Sequence, residues 1–204
     1  MTDDRTMEVV EMVLAGTVNQ EIVSLICGHG GRAVGLSGKD DLFLQAHKVS
    51  SMKTKSGAVV DPGRVGEIHK VRPDIVRRLV EGGFIPVISP IAVDDTGASL
   101  NVNADFVASR VAAALGAEKL VLLTDIEGVR GRDGALLSHL DQAEVAGLVE
   151  EGTIAGGMIP KVRCAFEALD GGTKKVHIVD GRVEHAILVE IFTDKGVGTE
   201  IVVG

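Results

Sequence analysis

The sequence contains no tryptophan and no tyrosine, and five phenylalanines make up its aromatic content. It therefore lacks the side chains that stack best on nucleic-acid bases. Positive charge is also scarce, because 21 Lys and Arg residues stand against 29 Asp and Glu residues, which gives a formal net charge of -8. Both shortages argue against a phosphate-backbone binder, so we expect no nucleic-acid partner.

Cysteine is equally rare, with Cys27 and Cys164 only. Both lie in apolar, helix-like stretches, so we expect small core residues in a reducing compartment. Met1 is followed by acidic residues rather than by a leader, and no apolar run reaches the ~18 residues of a membrane span. The six histidines show no zinc-ligand spacing, so no metal ligands are predicted. The expectation is a cytoplasmic protein without a membrane partner.

Hydrophobic residues make up 45% of the 204 residues, which is enough for the core of one domain. Short apolar runs at 33–36, 85–88, 119–123 and 176–179 predict buried strands. Helix-period stretches alternate with them, which indicates an α/β fold with an open, mainly parallel sheet.

The N-terminal region predicts two helices. The first covers residues 2–14 and begins at Thr2 or Asp3. The second begins at Asn19 as its N-cap, buries Ile22, Leu25 and Ile26, and ends at Gly28. In residues 41–71, polar and apolar residues alternate with the period of two that is typical of strands. This pattern predicts antiparallel hairpins that form a flap.

Polar residues follow the predicted strands at 89–105 and 124–130. Ligands of open α/β sheets bind at such carboxyl ends, so these loops are candidate site segments. Within the first loop, Asn103 is expected to cap a helix and Asp105 to lie in its first turn. A carboxylate there is also stabilised by ~0.3–1 kcal/mol through the helix dipole, so a purely structural role stays open.

The stretch 151–161, EGTIAGGMIPK, supplies a third segment. Gly156 and Gly157 leave room for a ligand beside the backbone, and Pro160 suits the first turn of a helix. Lys161 then adds positive charge at a helix N-terminus, which suits a polyanion such as a nucleotide phosphate. Taken alone, the stretch also fits a solvated lysine after an ordinary loop. No Walker A, GxGxxG or GxSxG motif occurs.

Three strings, at 101–105, 122–129 and 156–161, together with GGRAVGLSGKD at 30–40, resemble the amino acid kinase family. The likeness extends over the whole chain and is strongest to members that act on N-acetyl-L-glutamate. It implies a three-layer α/β sandwich in a single domain, 1–204. It further implies an acetylglutamate-side lobe at about 1–100, with the flap, and a nucleotide-side lobe at about 101–204.

The resemblance implies ATP-dependent phosphorylation of the N-acetyl-L-glutamate γ-carboxylate in arginine biosynthesis, with Mg²⁺ held through the ATP phosphates. It implies catalytic roles for Lys161 and Asp105 and a substrate-binding role for Asn101. The implied nucleotide-binding residues are Thr124, Asp125, Gly128, Val129, Arg130, Thr153, Ile154 and Ala155.

Regulation and assembly are implied as well. Positions matching His177, Glu190 and Gly196 line a pocket for inhibitory L-arginine in one branch of the family, and the expected assembly is a homodimer. From the residues alone, Glu190 is expected to be a surface carboxylate at a helix end.

The resemblance also implies an N-terminal strand and glycine-rich loop with a second catalytic lysine, and the sequence holds no match to them. We therefore expect an N-terminally truncated member whose residues alone catalyse inefficiently. Two alternatives stay open. One is a related amino acid kinase for glutamate or aminoadipate. The other is an impaired fragment that binds arginine or a nucleotide, or pairs with full-length subunits.

Overall fold

The computed structural model describes residues 1–54, 57–193 and 196–204, so residues 55 and 56 of the predicted flap lie outside it. The chain forms two compact units, Met1–Val107 and Ala108–Gly204. Each unit combines helices with parallel and antiparallel strand pairs, which confirms the predicted α/β class.

The first unit opens with one continuous helical stretch rather than the two predicted helices. It comprises α1 (Asp4–Glu11), a π-helical segment (Met12–Val18) and α2 (Asn19–Gly28). Asp3 caps α1 as predicted, because its side chain accepts a hydrogen bond from the Thr6 N–H at 2.7 Å. Asn19 is not a cap: its backbone is helical, and its side-chain Nδ2 donates to the Val87 carbonyl at 2.8 Å.

The buried face predicted for α2 is also wrong. Ile22 is 42% exposed and Leu25 is 57% exposed, while the polar Asn19 is buried. Cys27 is exposed too, in contrast to the fully buried Cys164. By length and composition alone, the 25-residue helix Asp4–Gly28 could cross a membrane. It was not predicted from the sequence, because the sequence contains no continuous apolar run of that length.

Strands β1 (Ala33–Leu36) and β6 (Ile85–Ile88) pair in parallel as a two-stranded sheet. The region predicted as hairpins contains β2 (Leu44–Lys48), β3 (Met52–Lys53), β4 (Val59–Val60) and β5 (Gly66–Val71). Pairs β2–β5 and β3–β4 are both antiparallel, as the alternation predicted.

A four-stranded sheet of order β5–β2–β7–β8 is completed by β7 (Ile91–Val93) and β8 (Ser99–Asn101). Phe43, Leu44, Ala46, Ile91 and Leu100 are fully buried against it. Helix α3 (Asp74–Glu81) precedes β6 and ends at Gly82. Helix α4 (Ala104–Leu115) follows β8, and the Asn103 side chain accepts from the Asp105 N–H at 2.9 Å, which confirms the predicted cap.

The second unit is built on a four-stranded sheet of order β10–β12–β11–β9. Its strands are β9 (Lys119–Thr124), β10 (His139–Asp141), β11 (Lys175–Asp180) and β12 (Thr199–Val202). Pairs β9–β11 and β10–β12 are parallel, and β11–β12 is antiparallel. Strand β11 is buried along nearly its whole length. In β9, buried and more exposed residues alternate, and Leu123 is 50% exposed. The prediction that β9 is a fully buried strand is therefore wrong.

Helices α5 (Gln142–Glu150), α6 (Met158–Asp170) and α7 (Ala186–Phe192) lie in this unit, together with residues 108–115 of α4. Asp141 and Glu144 form a capping box at the start of α5. Val162, Cys164, Ala165, Ala168 and Leu169 form the buried face of α6. This face fixes α6 along the sheet, so the first turn of the helix and the loop before it occupy a defined position in the unit.

Candidate functional site

The loop that follows β9 is held in a fixed shape by its own hydrogen bonds. The Thr124 hydroxyl accepts from the Ile126 N–H at 2.8 Å and donates to the Ile126 carbonyl at 3.1 Å. Further along, the buried Val129 donates its N–H to the Thr199 hydroxyl at 2.8 Å, and that hydroxyl donates to the Leu137 carbonyl at 2.7 Å. Both ends of the loop are thus anchored.

Gly128 lies at the tightest point of this loop. Its φ is +145°, a backbone conformation that side chains disfavour. A Cβ at this position would lie 2.5 Å from the Thr199 Oγ1, well inside contact distance. Glycine is therefore required here for the loop to reach β12.

Residues 153–155 lie opposite this loop and complete a pocket of about 360 Å³. The buried Ile154 fixes this second wall through its N–H, which donates to the Leu148 carbonyl at 3.0 Å. The volume falls in the range of about 300–1,000 Å³ typical of small-molecule sites. The residues that line the pocket are Asp125, Ile126, Glu127, Gly128, Val129, Arg130, Thr153, Ile154, Ala155, Met158 and Arg182.

Seven of the eight residues predicted to bind a nucleotide line this pocket, and Thr124 does not. The Thr124 hydroxyl is instead engaged inside the loop, as described above. Ile126, Glu127 and Met158 also line the pocket; they lie in the predicted site segments 124–130 and 151–161 but were not named as nucleotide-binding residues, and Arg182 lies outside the predicted segments. For Arg182 a signal existed, since it follows the strand predicted at 176–179, and that strand is parallel to β9.

Both arginines of the pocket are paired with carboxylates. Arg182 binds Asp180 in a two-pronged arrangement, with Nε to Oδ1 at 2.9 Å and Nη2 to Oδ2 at 2.8 Å. These side-chain hydrogen bonds, aided by the Arg182 N–H, hold the pKa of Asp180 at about 2. Arg130 contacts Glu127 through Nη2. The pocket is therefore of mixed charge, which suits the polar, uncharged parts of a nucleotide better than its phosphates.

The start of α6 is the electropositive part of the same unit. Gly156 has a φ of +59°, and the space where a Cβ would stand at Gly156 or Gly157 is open. Among the described residues no side chain caps this helix; the Met158 and Ile159 N–H groups donate to the Ala155 and Gly156 carbonyls, both at 3.3 Å, and Pro160 has no N–H. Lys161, half-buried, is the fourth residue of the helix. The helix dipole and the charge of Lys161 make this end of α6 suited to an anion such as phosphate.

Asn101 and Asp105 belong to the first unit. Asn101 is the last residue of β8 and donates its N–H to the Arg64 carbonyl at 2.8 Å. Asp105 lies in the first turn of α4, as predicted, and is half-buried. Their roles toward a ligand stay predictions.

The three predicted effector residues lie together in the second unit. His177 Nδ1 and Glu190 Oε1 are 2.7 Å apart, and both side chains are 4% exposed. Glu190 Oε2 accepts from the Val197 and Gly198 N–H groups at 2.7 and 2.9 Å. A Cβ at Gly196 would stand 2.4 Å from the same oxygen. Both oxygens of Glu190 are thus engaged by the protein itself.

The expectation that Glu190 is a surface carboxylate is wrong. Burial raises its pKa, but the hydrogen bonds from His177, Val197 and Gly198 outweigh burial and leave the pKa below its usual value. The charged form is therefore favoured at this buried position.

The family model described as "Amino acid kinase family" matches residues 1–180. The chain belongs to the amino acid kinase family. The family residues implied by the resemblance, from the β9 exit to Lys161, all fall inside this match.

Known members give a more detailed comparison. The chain is 56% identical to an acetylglutamate kinase of Geobacter sp. strain M21 and 57% identical to one of Geotalea daltonii, over 98% of its own length and 70% of theirs. It also resembles the structure of N-acetylglutamate synthase from Neisseria gonorrhoeae complexed with coenzyme A and N-acetyl-glutamate. That likeness has a TM-score of 0.85 and 29% identity, and it covers 99% of this chain and 45% of the synthase.

Proposed function

We propose that this protein catalyses the ATP-dependent phosphorylation of the γ-carboxylate of N-acetyl-L-glutamate, a step of arginine biosynthesis. The observation that carries the proposal is the identity of more than half of the residues with proteins named acetylglutamate kinase. The pocket at the β9 exit and the open N-terminus of α6 support it, because a kinase needs a nucleotide site of this kind.

The chemistry requires positive charge rather than a base. The γ-carboxylate of the substrate is ionised at neutral pH, since the reference pKa of such a group is about 4.3. It needs no deprotonation before it attacks phosphorus. The barrier lies in bringing two anions together, so catalysis depends on alignment and on fixed positive charge around the transferred group.

We place the base and ribose of ATP in the mixed-charge pocket and its phosphates toward the N-terminus of α6. The open space beside Gly156 and Gly157 accommodates the phosphates, and the positive end of the α6 dipole stabilises their charge. Mg²⁺ held through the ATP phosphates supplies further positive charge. Mg²⁺ prefers oxygen ligands, and the phosphates provide them.

Lys161 is the proposed catalytic cation. Its position in the first turn of α6 adds a full charge to the partial charge of the helix N-terminus. We also propose that Asp105 is catalytic and that Asn101 holds N-acetyl-L-glutamate.

The test is ADP release with Mg-ATP and each of three acids: N-acetyl-L-glutamate, L-glutamate and L-2-aminoadipate. We expect ADP release that depends on N-acetyl-L-glutamate and is at least about tenfold faster than with the other two acids. A site that hydrogen-bonds the acetyl amide leaves its own polar groups unpaired when an acid without that amide binds. Preference for an unacetylated acid would replace this function with that of a related kinase. Absence of release with every acid, at enzyme concentrations near those of substrate, would refute the proposal.

We further propose that L-arginine inhibits the enzyme at His177, Glu190 and Gly196. Because Glu190 is bonded to the protein in this structure, arginine must displace the 196–198 segment to pair with it. Inhibition curves for wild type and Glu190→Gln test this, and equal sensitivity of the two would contradict it.

The proposed assembly is a homodimer in the cytoplasm. Apolar side chains of the helix Asp4–Gly28 support it, since Met12 is 62% exposed and Val13 is 43% exposed. Light scattering after size exclusion measures the assembly, and a monomer at micromolar concentration would contradict it.

A further inference from the structure

In the first unit, the sheet β5–β2–β7–β8 gathers three side chains of the kinds that bind metal ions. They are His47, His69 and Asp95, and their ligand atoms all lie within 4.8 Å of one another. All three side chains are exposed. No short motif indicates this group, because 21 residues separate the two histidines and a further 25 separate His69 from Asp95.

The pairing of β2 with β5 brings the two histidines together. His47 pairs with Glu67, and His69 is two residues further along β5, so it lies on the same exposed face. The ladder skips His69, since Ala46 pairs with Ile68 and Gln45 pairs with Lys70. Such a bulge redirects a side chain. Here the two imidazole rings stack with centroids 3.8 Å apart and planes 6° from parallel.

The pairing of β2 with β7 adds the carboxylate. These strands are parallel, with Gln45 opposite Val93. Asp95 lies two residues beyond Val93, in the turn after β7, and its carboxylate lies within 4.8 Å of the His47 ligand atom. The turn that holds Asp95 is fixed by Asp94, whose Oδ1 accepts from the Thr96 and Ala98 N–H groups at 2.8 and 3.0 Å. Asp94 is thus occupied inside the turn, whereas the Asp95 side chain is exposed beside His47.

We propose that His47, His69 and Asp95 form a binding site for a divalent transition metal ion, with Zn²⁺ as the preferred occupant. Two imidazoles and one carboxylate suit Zn²⁺, whereas Mg²⁺ and Ca²⁺ prefer oxygen ligands alone. The site is therefore distinct from the Mg²⁺ that accompanies ATP. Three protein ligands leave one tetrahedral position for water.

Closing the site requires side-chain rotations that open the imidazole stack, because a bound ion lies in the plane of each ring and the two stacked planes are nearly parallel. With Zn–N and Zn–O distances of about 2.0–2.2 Å, ligand atoms of a tetrahedral site lie roughly 3.3–3.5 Å apart. The three side chains are exposed and are attached to paired strands or a hydrogen-bonded turn, so their Cα positions need not move. Glu67, opposite His47 on the same face, adds a second negative charge that attracts the cation.

An ion at this site connects three neighbouring strands, β5, β2 and β7. It stabilises the folded first unit by mass action, because a ligand set assembled by strand register does not exist in the unfolded chain. The effect of the metal is therefore on stability, and it does not require a change in phosphoryl transfer.

The test is a titration of the metal-free chain with Zn²⁺ by calorimetry and with Co²⁺ by visible absorption. We expect one ion per chain and a higher melting temperature in Zn²⁺. His47→Gln, His69→Gln and Asp95→Asn should each weaken binding by at least about tenfold and abolish the thermal shift. Circular dichroism confirms that each variant is folded.

His29→Gln and Cys27→Ser are the matched controls, since both side chains are exposed in the same unit and could bind metal on their own account. Both controls should bind one ion as tightly as wild type. The proposal is overturned if wild type binds no Zn²⁺, or if the three site variants bind it as tightly as wild type. It is also overturned if a control variant abolishes binding.

Discussion

Glu190 is a buried carboxylate whose charge is balanced entirely by short hydrogen bonds. His177 and the N–H groups of Val197 and Gly198 all donate to it at 2.7–2.9 Å. Hydrogen bonds to a charged group contribute more than neutral ones, and leaving such donors unpaired in the interior is costly. This residue therefore connects β11, α7 and the start of β12.

Replacing Glu190 by Gln should destabilise the second unit by about 1.5–3 kcal/mol at neutral pH. Because the native pKa of Glu190 is below the ordinary value of 4.5, its contribution is complete above pH 4.5 and is lost as the pH falls through the native value. Urea unfolding of wild type should show this acid loss, and the variant should show a smaller one. Glu118→Gln, at an exposed ion pair, is the control and should change little. Equal acid sensitivity of wild type and Glu190→Gln would refute this assignment.

Lys161 is the residue on which the proposed chemistry depends most. Lys161→Ala should reduce kcat by about 10²–10³, the loss typical of one preorganised charge donor. Lys174→Ala is the control, since Lys174 is an exposed lysine of the same unit paired with Glu118. The measurement is kcat for N-acetyl-L-glutamate, with circular dichroism to confirm folding. Retention of most of the activity by Lys161→Ala would remove Lys161 from the mechanism.

At the scale of elements, the loop between β9 and β10 depends on close approach to β12. Gly128 is the position where that approach is tightest, with the Thr199 hydroxyl filling the space of a Cβ. The same hydroxyl holds the Val129 N–H. Any side chain at residue 128 must therefore push the pocket wall away from β12.

Gly128→Ala should weaken ATP binding by at least about tenfold and lower stability by about 1–3 kcal/mol, through the steric clash and the disfavoured backbone angle. Gly134→Ala is the matched control. Its φ is +80°, but nothing stands within 4 Å of its Cβ position, so it carries backbone strain without the clash. Calorimetric titration with Mg-ATP measures both variants. Equal ATP affinity in both would show that the contact with Thr199 does not shape the site.

Elements with clear boundary signals were predictable from the sequence. Helix α6 was expected to begin close to where it does, because Gly156 and Gly157 precede it and Pro160 suits its first turn. The continuous N-terminal helix was not predicted. Asn19 is a residue type that often caps helices, but here its side chain donates to the Val87 carbonyl, 68 residues away. A long-range hydrogen bond of this kind leaves no local signal in the sequence.

At the scale of the whole molecule, the residues of the pocket come from two nearby segments of chain plus Arg182. The two segments were predictable, because they follow a strand and precede a helix and because the family resemblance covers them. Arg182 and the His47–His69–Asp95 group were not, since pairing between distant strands, together with the turns that follow those strands, places them. Register depends on pairing between distant segments, which hydrophobic pattern specifies only in part.

The most direct test of the central claim is hydrogen–deuterium exchange with and without Mg-ATP. The account predicts slower exchange in residues 124–130 and 153–161 of the second unit and unchanged exchange in the β2 and β5 strands of the first. Protection confined to the first unit, or no protection in either segment at saturating Mg-ATP, would contradict the claim that this pocket and the start of α6 hold the nucleotide.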